Sequence, residues 1–276
     1  MINFHLKSFS QMSVEDMKEL KPEDKFTFGC TDGCMGSCCM LINIYLDPWD
    51  VETMARCLKI SGQQFIQEYC DYEVDSNSRW PNVRLKAASG GACDFVLEDG
   101  RCSIYNSRPR NCRTSPIGRA VRYNNDGEQA VKEEKVFIIP PTDNCMGFGA
   151  GRKWTVHEWF LDADAYKYYE FSDLYTELIN YSSDKLNGKE WMLAGVAKMM
   201  NPFLYGPELL RAKLGISEEQ VGYEEFYRRR MKALKVVLTD MAAGFGCGPL
   251  AEQAEDMRGQ SGSMMDRVKK ILLAEA

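Results

Sequence analysis

An α+β fold is predicted for this chain: a small mixed, cysteine-rich core followed by a mainly helical C-terminal half. Three observations lead there. Short apolar runs bounded by turn residues alternate with brief helical patterns as far as about residue 160. Capping signals and helical periodicity dominate beyond it. Eight of the eleven cysteines fall in groups between residues 30 and 145. At 276 residues, 45% hydrophobic and 27% charged, the chain can bury a real core without disulfide staples. The organisation that follows is a lead-in over 1–28, a cysteine-bearing core over 29–160 and a helical region over 161–276.

Taken in order, Leu41–Leu46 is rich in β-branched and aromatic residues and reads as a short strand. Asp47-Pro48 supplies an N-cap and a proline at the first helical position, opening a helix through about Lys59. Ser61 begins a second helix with Phe65, Ile66 and Tyr69 on its apolar face. Residues 93–105 read as a hairpin turning at Asp99-Gly100 in a type I′ turn, which brings Cys93 and Cys102 to one edge. Val136–Ile139 is a further strand, closed by Pro140-Pro141. Thr155 and Glu158 form a capping box ahead of a helical stretch toward Tyr181. Ser217 and Gln220 form another before the helix Tyr223–Ala243, with Gly244 as the residue that ends it. Met264–Ala276 closes the chain as an amphipathic helix. The Tyr, Trp and Met residues at helical spacing in this half read as core packing.

The net charge of −6 argues against a globally basic nucleic-acid binder. The start, MINFHLKSFSQMSVEDMKEL, has no apolar h-region, so a cytoplasmic location is expected. The longest apolar run, Met40–Leu46, is broken by Asn43 and falls far short of the ~20 residues of a spanning helix, so no membrane partner is expected. In a reducing compartment, clustered cysteines bind metal or do redox chemistry more often than they form disulfides.

The first cluster is Cys30-x3-Cys34-x3-Cys38-Cys39, set among Gly29, Gly33 and Gly36. The second is Cys93-x8-Cys102-x9-Cys112, followed by Cys145. Thiolates are the ligands of zinc and of iron–sulfur clusters, and short spacings in a glycine-containing loop let several meet at one point. Eight thiols allow two four-cysteine sites, or one site with auxiliary cysteines, and spacing alone does not separate the two. With only two histidines, a three-histidine catalytic zinc is excluded. His157 reads as an exposed or packing residue, and Cys57, Cys70 and Cys247 as small buried hydrophobes.

From Arg101 to Arg122 there are six arginines and no acidic residue. Their guanidinium groups suit either charge balance for thiolates or an anion pocket for a carboxylate or phosphate. Arg108 and Arg113 are the candidates for cofactor or anion contacts, and Tyr105 reads as packing over the site. There is no G-x-S-x-G elbow, Walker A sequence or Rossmann fingerprint, and the radical S-adenosylmethionine spacing Cys-x3-Cys-x2-Cys is not matched. No catalytic residue is assigned.

The first cluster, then CDFVLEDGRCSIYNSRPRNCRTSP, then CMGFGAGRKWTVHEW, resembles the YkgJ-like cysteine-cluster family, the CxxCxxCC group of zinc- or iron-chelating proteins. The segment DPWDVETMARCLKISGQQFIQEY is similar to the stretch that follows the family's cysteine-rich loop. The resemblance covers about residues 28–160, with a first cluster looser than the family's nominal x2 spacings. It implies metal binding. Through the related flagellin lysine N-methylases it implies a [4Fe–4S] cluster working with S-adenosylmethionine on a protein substrate. The expected ligands are Cys30, Cys34, Cys38, Cys39, Cys93, Cys102, Cys112 and Cys145. The alternatives are a non-catalytic Zn²⁺ module that recruits a partner, and a metal-handling protein that serves a client.

Overall fold

The computed structural model describes residues 17–40, 43–87, 91–124, 131–139, 144–250 and 264–274. It is mixed α and β, with small sheets and a mostly helical C-terminal half. The chain divides into two compact units that are not sequential blocks. The first comprises 1–46, 67–71 and 83–169, and the second 47–66, 72–82 and 170–276.

The first unit is organised by short antiparallel pairings. Strand β1 (Lys25–Phe28) pairs with β7 (Arg152–Thr155), Phe28 opposite Arg152. Strands β5 (Ile117–Asn124) and β6 (Val131–Ile138) form a hairpin with Ile117 opposite Ile138. A three-stranded sheet runs β2 (Tyr45–Leu46), β4 (Pro81–Leu85), β3 (Cys70–Val74). The core of the unit gathers Phe26, Phe28, Ile117, Trp154, Val156, Phe160 and Tyr169, with Cys145 and Phe148 packed against it. Phe28 meets Phe148 edge-on at 5.3 Å, and Trp154 meets Trp159 at 5.0 Å.

The second unit is helical. Helix α1 (Pro48–Leu58) opens with Asp47 as N-cap and Pro48 in its first turn, as the sequence predicts; Asp50 adds a reciprocal capping box, and the helix closes at Lys59 in a left-handed conformation. Trp49 on α1 stands 4.0 Å from Phe171 and 5.2 Å from Tyr227, ring centre to ring centre. Helix α2 (Gly62–Tyr69) follows. In the first unit come α3 (Arg110–Thr114) and α4 (Val156–Asp162). Helix α5 (Ala165–Lys185) leads to α6 (Gly188–Trp191), α7 (Ala194–Met199), α8 (Asn201–Tyr205) and α9 (Pro207–Leu214). The long α10 (Tyr223–Gly244) and α11 (Met264–Leu273) complete it. Glu52 on α1 and Arg230 on α10 form a fully buried ion pair, and Arg267 on α11 pairs with Asp240 on α10. No described helix is long and apolar enough to cross a membrane.

Several expectations are corrected. Leu41 and Ile42 lie outside the described residues, and the strand expected at 41–46 is observed only at Tyr45–Leu46. The strand expected at 136–139 begins at Val131, and Pro140-Pro141 lie outside the described residues. The Thr155–Glu158 capping box is present, but the helix it opens stops at Asp162. Asp164 takes a φ of 51°, which breaks the stretch toward Tyr181 into α4 and α5. Ser217 and Gln220 exchange their two hydrogen bonds around a turn, and α10 starts later, after Gly222, with no side-chain cap. Gly244 belongs to α10, and the positive φ past its end is at Gly246. The hairpin at 93–105 consists of isolated bridges, and its turn is not type I′. The amide of Gly100 donates to the Leu97 carbonyl and that of Leu97 to the Arg101 carbonyl, and only Gly100 takes a positive φ, 80°. This makes a three-residue loop with the left-handed residue last. Cys70 is buried, as expected, whereas Cys57 is exposed on α1, off the stripe of Val51, Met54 and Ala55 that faces inward.

Candidate metal centre

The first four cysteines lie on one loop that β1 delivers. Two 3₁₀ turns, Asp32–Cys34 and Ser37–Cys39, carry Cys34, Cys38 and Cys39, with Gly36 left-handed between them at φ 81°. The loop docks on the hairpin tip through a glycine pair. A Cβ on Gly36 would stand 2.9 Å from the Gly100 Cα, and one on Gly100 would stand 2.6 Å from the Met35 carbonyl oxygen. Neither position admits a side chain.

Two backbone junctions bring in the distant cysteines. Gly29 donates to the Gly147 carbonyl at 3.2 Å, and Gly29 and Gly151 are in such close approach that a Cβ on either would sit within 2.9 Å of the other's Cα. Cys30 and Cys145 therefore flank one junction, and Met146 lies against Gly33 beside Cys34. At the second junction Cys93 donates its amide to the Cys39 carbonyl at 2.8 Å, Met40 bridges Ala92, and Val96 bridges Cys102. Cys112 stands on α3, whose first turn is closed by its amide bonding the Pro109 carbonyl at 3.0 Å.

The thiols lie within electrostatic reach of one another. Partial burial raises the Cys30 pKa, and the charges of Cys38, Cys34 and Cys145 raise it further, while Arg108 opposes them. Cys34 is held below the ordinary thiol range by the Thr31 hydroxyl, 3.3 Å from its sulfur, and then by the backbone N–H groups of Met146 and Thr31. A hydrogen bond from Cys39 brings Cys38 down to about 6, and the same bond, with burial, pushes Cys39 far up. Burial raises Cys93 against the amide of Phe95, and the charges of Cys102, Asp94 and Cys38 add to it. Cys30, Cys38 and Cys112 are exposed and the other five half-buried. Among the described residues no three His, Cys, Asp or Glu side chains already surround one point closely enough to hold an ion. The donor chemistry nevertheless fits a thiolate-bound metal. Sulfur is the recurrent donor, and Cys34 is supported by N–H···S and O–H···S contacts of the kind that orient ligands and tune bound metals. His157 is engaged elsewhere, its Nδ1 2.7 Å from the Tyr166 hydroxyl.

The three non-cysteine candidates separate. Arg108 donates to the Tyr105 carbonyl at 2.7 Å and lies 3.7 Å over the Tyr105 ring, within the field of Cys102, Cys112 and Cys30. Tyr105 is 60% exposed. Arg113, by contrast, is buried and donates to the carbonyls of Ala163 (2.6 Å) and Asn106 (2.9 Å), with its guanidinium 3.8 Å over Tyr168. Those bonds make it a clamp on the backbone. Arg119 is likewise engaged, by Glu134 at 2.8 Å. Thr31 and the Met146 amide escape sequence reading. Thr31 stands three residues before Cys34, a side-chain turn spacing that offers a weak signal, whereas Met146 is brought in only by the chain fold.

Residues 29–139 match the family model CxxCxxCC, described as a putative zinc- or iron-chelating domain. No solved structure matches the chain. The matched segment contains all the candidate cysteines except Cys145, which lies just beyond it yet packs against the core of the same unit. Metal binding is thereby supported, and Cys145 flanks the same backbone junction as Cys30.

Proposed function

We propose that this chain is an iron–sulfur protein, its CxxCxxCC core holding a [4Fe–4S] cluster. The observation that carries the reading is the match of residues 29–139 to a zinc- or iron-chelating family model over a segment rich in cysteine, in which the Cys34 thiol is supported by a hydroxyl 3.3 Å away and by backbone amides. When bound, such a cluster supplies one-electron chemistry or an open iron site to a co-substrate. The chain's own residues orient the sulfurs and offset their negative charge, and they leave Cys30, Cys38 and Cys112 exposed to solvent. Eleven cysteines in one chain suit a reducing compartment, and we place the protein in the cytoplasm.

The resemblance to flagellin lysine N-methylases extends this reading to S-adenosylmethionine as co-substrate and a protein lysine as methyl acceptor. Arg108, stacked on the exposed Tyr105 and within the field of Cys30, Cys102 and Cys112, supports that extension, since a guanidinium near the thiols suits the carboxylate of the methionyl group.

Anaerobic purification followed by iron, zinc and acid-labile sulfide analysis, with a visible spectrum, tests the reading. Iron and sulfide in equal amounts with a broad brown absorption are expected. Stoichiometric zinc in a colourless protein overturns the cluster and leaves a zinc module. Calorimetric titration of the loaded protein with S-adenosylmethionine tests the extension, and the absence of binding removes it.

A further inference from the structure

We infer that Thr31 is a positioning residue for the metal centre, its hydroxyl holding the Cys34 sulfur and drawing negative charge from it. The inference rests on metal binding by the cysteine core and adds the role of a residue that is not itself a ligand.

The placement of Thr31 carries it. Thr31 precedes the 3₁₀ turn Asp32–Cys34 in an extended conformation, with φ −113° and ψ 153°. A threonine in that position ordinarily turns its hydroxyl onto the unsatisfied amides of the turn it opens. Here the side chain makes no such cap. Backbone alone closes the turn, the Cys34 amide donating to the Thr31 carbonyl at 3.1 Å. The hydroxyl lies instead 3.3 Å from the Cys34 sulfur. The turn therefore does not depend on the hydroxyl, and the contact it makes is with a candidate ligand.

Between a hydroxyl and a thiol, either atom can donate. Metal is bound by the thiolate, which has no proton, so in the loaded protein the hydroxyl donates and the sulfur accepts. Such a bond draws charge from the sulfur and lowers the energy of its lone pairs. Thr31 and Cys34 are both half-buried, and the Met146 sulfur lies 3.2 Å from where a Cβ on Gly33 would stand. A sulfur so placed is poorly served by water, and loss of the hydroxyl is not simply made good by solvent.

Two substitutions separate the hydroxyl from the rest of the side chain. Thr31→Val keeps the branched shape and the backbone turn and removes the donor. Thr31→Ser keeps the donor and removes the methyl group. A role in packing alone disturbs the serine variant and spares the valine variant, and the role inferred here does the reverse.

Cobalt(II) reports on the sulfur without presupposing iron or zinc. The metal-free full chains are loaded anaerobically with Co²⁺, and the sulfur-to-cobalt charge-transfer band in the near ultraviolet is recorded. Thr31→Val is expected to move the band to longer wavelength, because a sulfur without its donor gives up charge more readily. Thr31→Ser is expected to leave it in place, and in a Cys34→Ser background the valine shift is expected to vanish. In iron-loaded protein the midpoint potential is expected to become more negative in Thr31→Val and to hold in Thr31→Ser. An unmoved band in Thr31→Val, an equal shift in Thr31→Ser, or a shift that persists without Cys34 overturns the inference and leaves metal binding standing. Loss of metal from Thr31→Val alone, at unchanged far-ultraviolet circular dichroism, also assigns the role to the hydroxyl, whereas loss from both variants overturns it. Where Thr31→Val misfolds, Thr31→Ala is read by the same criteria, and misfolding of both makes Thr31 a residue of the fold and overturns the inference. An unsubstituted chain that binds no Co²⁺ refutes metal binding itself, and the inference with it.

Discussion

At Cys38 the hydrogen bond from the Cys39 thiol brings the pKa down to about 6, whereas burial pushes Cys70 up to about 12. The thiolate is the nucleophile, so alkylation rises with pH through the thiol's pKa. In the metal-free chain, the rate at Cys38, followed by peptide mass spectrometry, is expected to reach half its plateau near pH 6, with Cys70 unreactive throughout the neutral range. Cys39→Ala removes the donor and is expected to move the Cys38 midpoint toward about 8.5, the ordinary thiol value. An unmoved midpoint means that another group holds the thiolate. The Glu52–Arg230 pair is the corresponding feature of the helical unit. Burial raises the Glu52 pKa, and the adjacent Arg230 guanidinium works against that rise. Glu52→Ala leaves Arg230 buried and uncompensated, with an expected cost of about 3–5 kcal/mol in denaturant unfolding. Replacing both with apolar residues of similar volume is expected to cost much less.

The loop around the first four cysteines is held by contact between backbones. Gly100→Ala forces a residue with a Cβ into a left-handed conformation, at a cost of about 1–2 kcal/mol, and drives that Cβ toward the Met35 carbonyl. Displacement of the cysteine loop is the expected result, with metal content falling well below that of the unsubstituted protein at matched circular dichroism. Full metal content in Gly100→Ala would mean that the loop is held by other contacts. At this scale the sequence is legible where the signal is local. The Asp47–Asp50 and Thr155–Glu158 caps are readable because donor and acceptor lie three residues apart. Strand β5 escapes notice because Arg119 and Arg122 interrupt its apolar alternation, and the Asp164 break carries no glycine or proline to announce it. The chemical type of the candidate ligands is legible for the same reason, since cysteine names itself. Which of their segments become neighbours is not, because that is made by backbone contacts such as Gly29 with Gly147 and Cys39 with Cys93, between segments distant in sequence.

For the whole molecule, the two compact units imply unequal responses to metal removal. Thiolate binding stabilises only the conformation that presents the ligands. Chelation under anaerobic conditions is expected to raise amide exchange around residues 29–40, 91–103 and 110–114 of the first unit. The second unit has its own buried aromatic and ionic core, including Trp49, Phe171, Tyr227 and Arg230. Exchange in α10 is therefore expected to stay slow. Mass-spectrometric hydrogen exchange with and without chelator measures both, and equal loss of protection in α10 would show that one cooperative transition embraces the chain.

The β1–β7 pairing also sets a schedule for synthesis. Phe28 leaves the ribosome well before its partner Arg152, a lag of roughly 6–25 s at ~5–20 residues per second. Throughout that interval the nascent chain presents an unpaired strand edge, and of the eight candidate thiols Cys145 is the last to arrive. The strand that leads into the first cysteine loop therefore waits unpaired until more than a hundred further residues have been made.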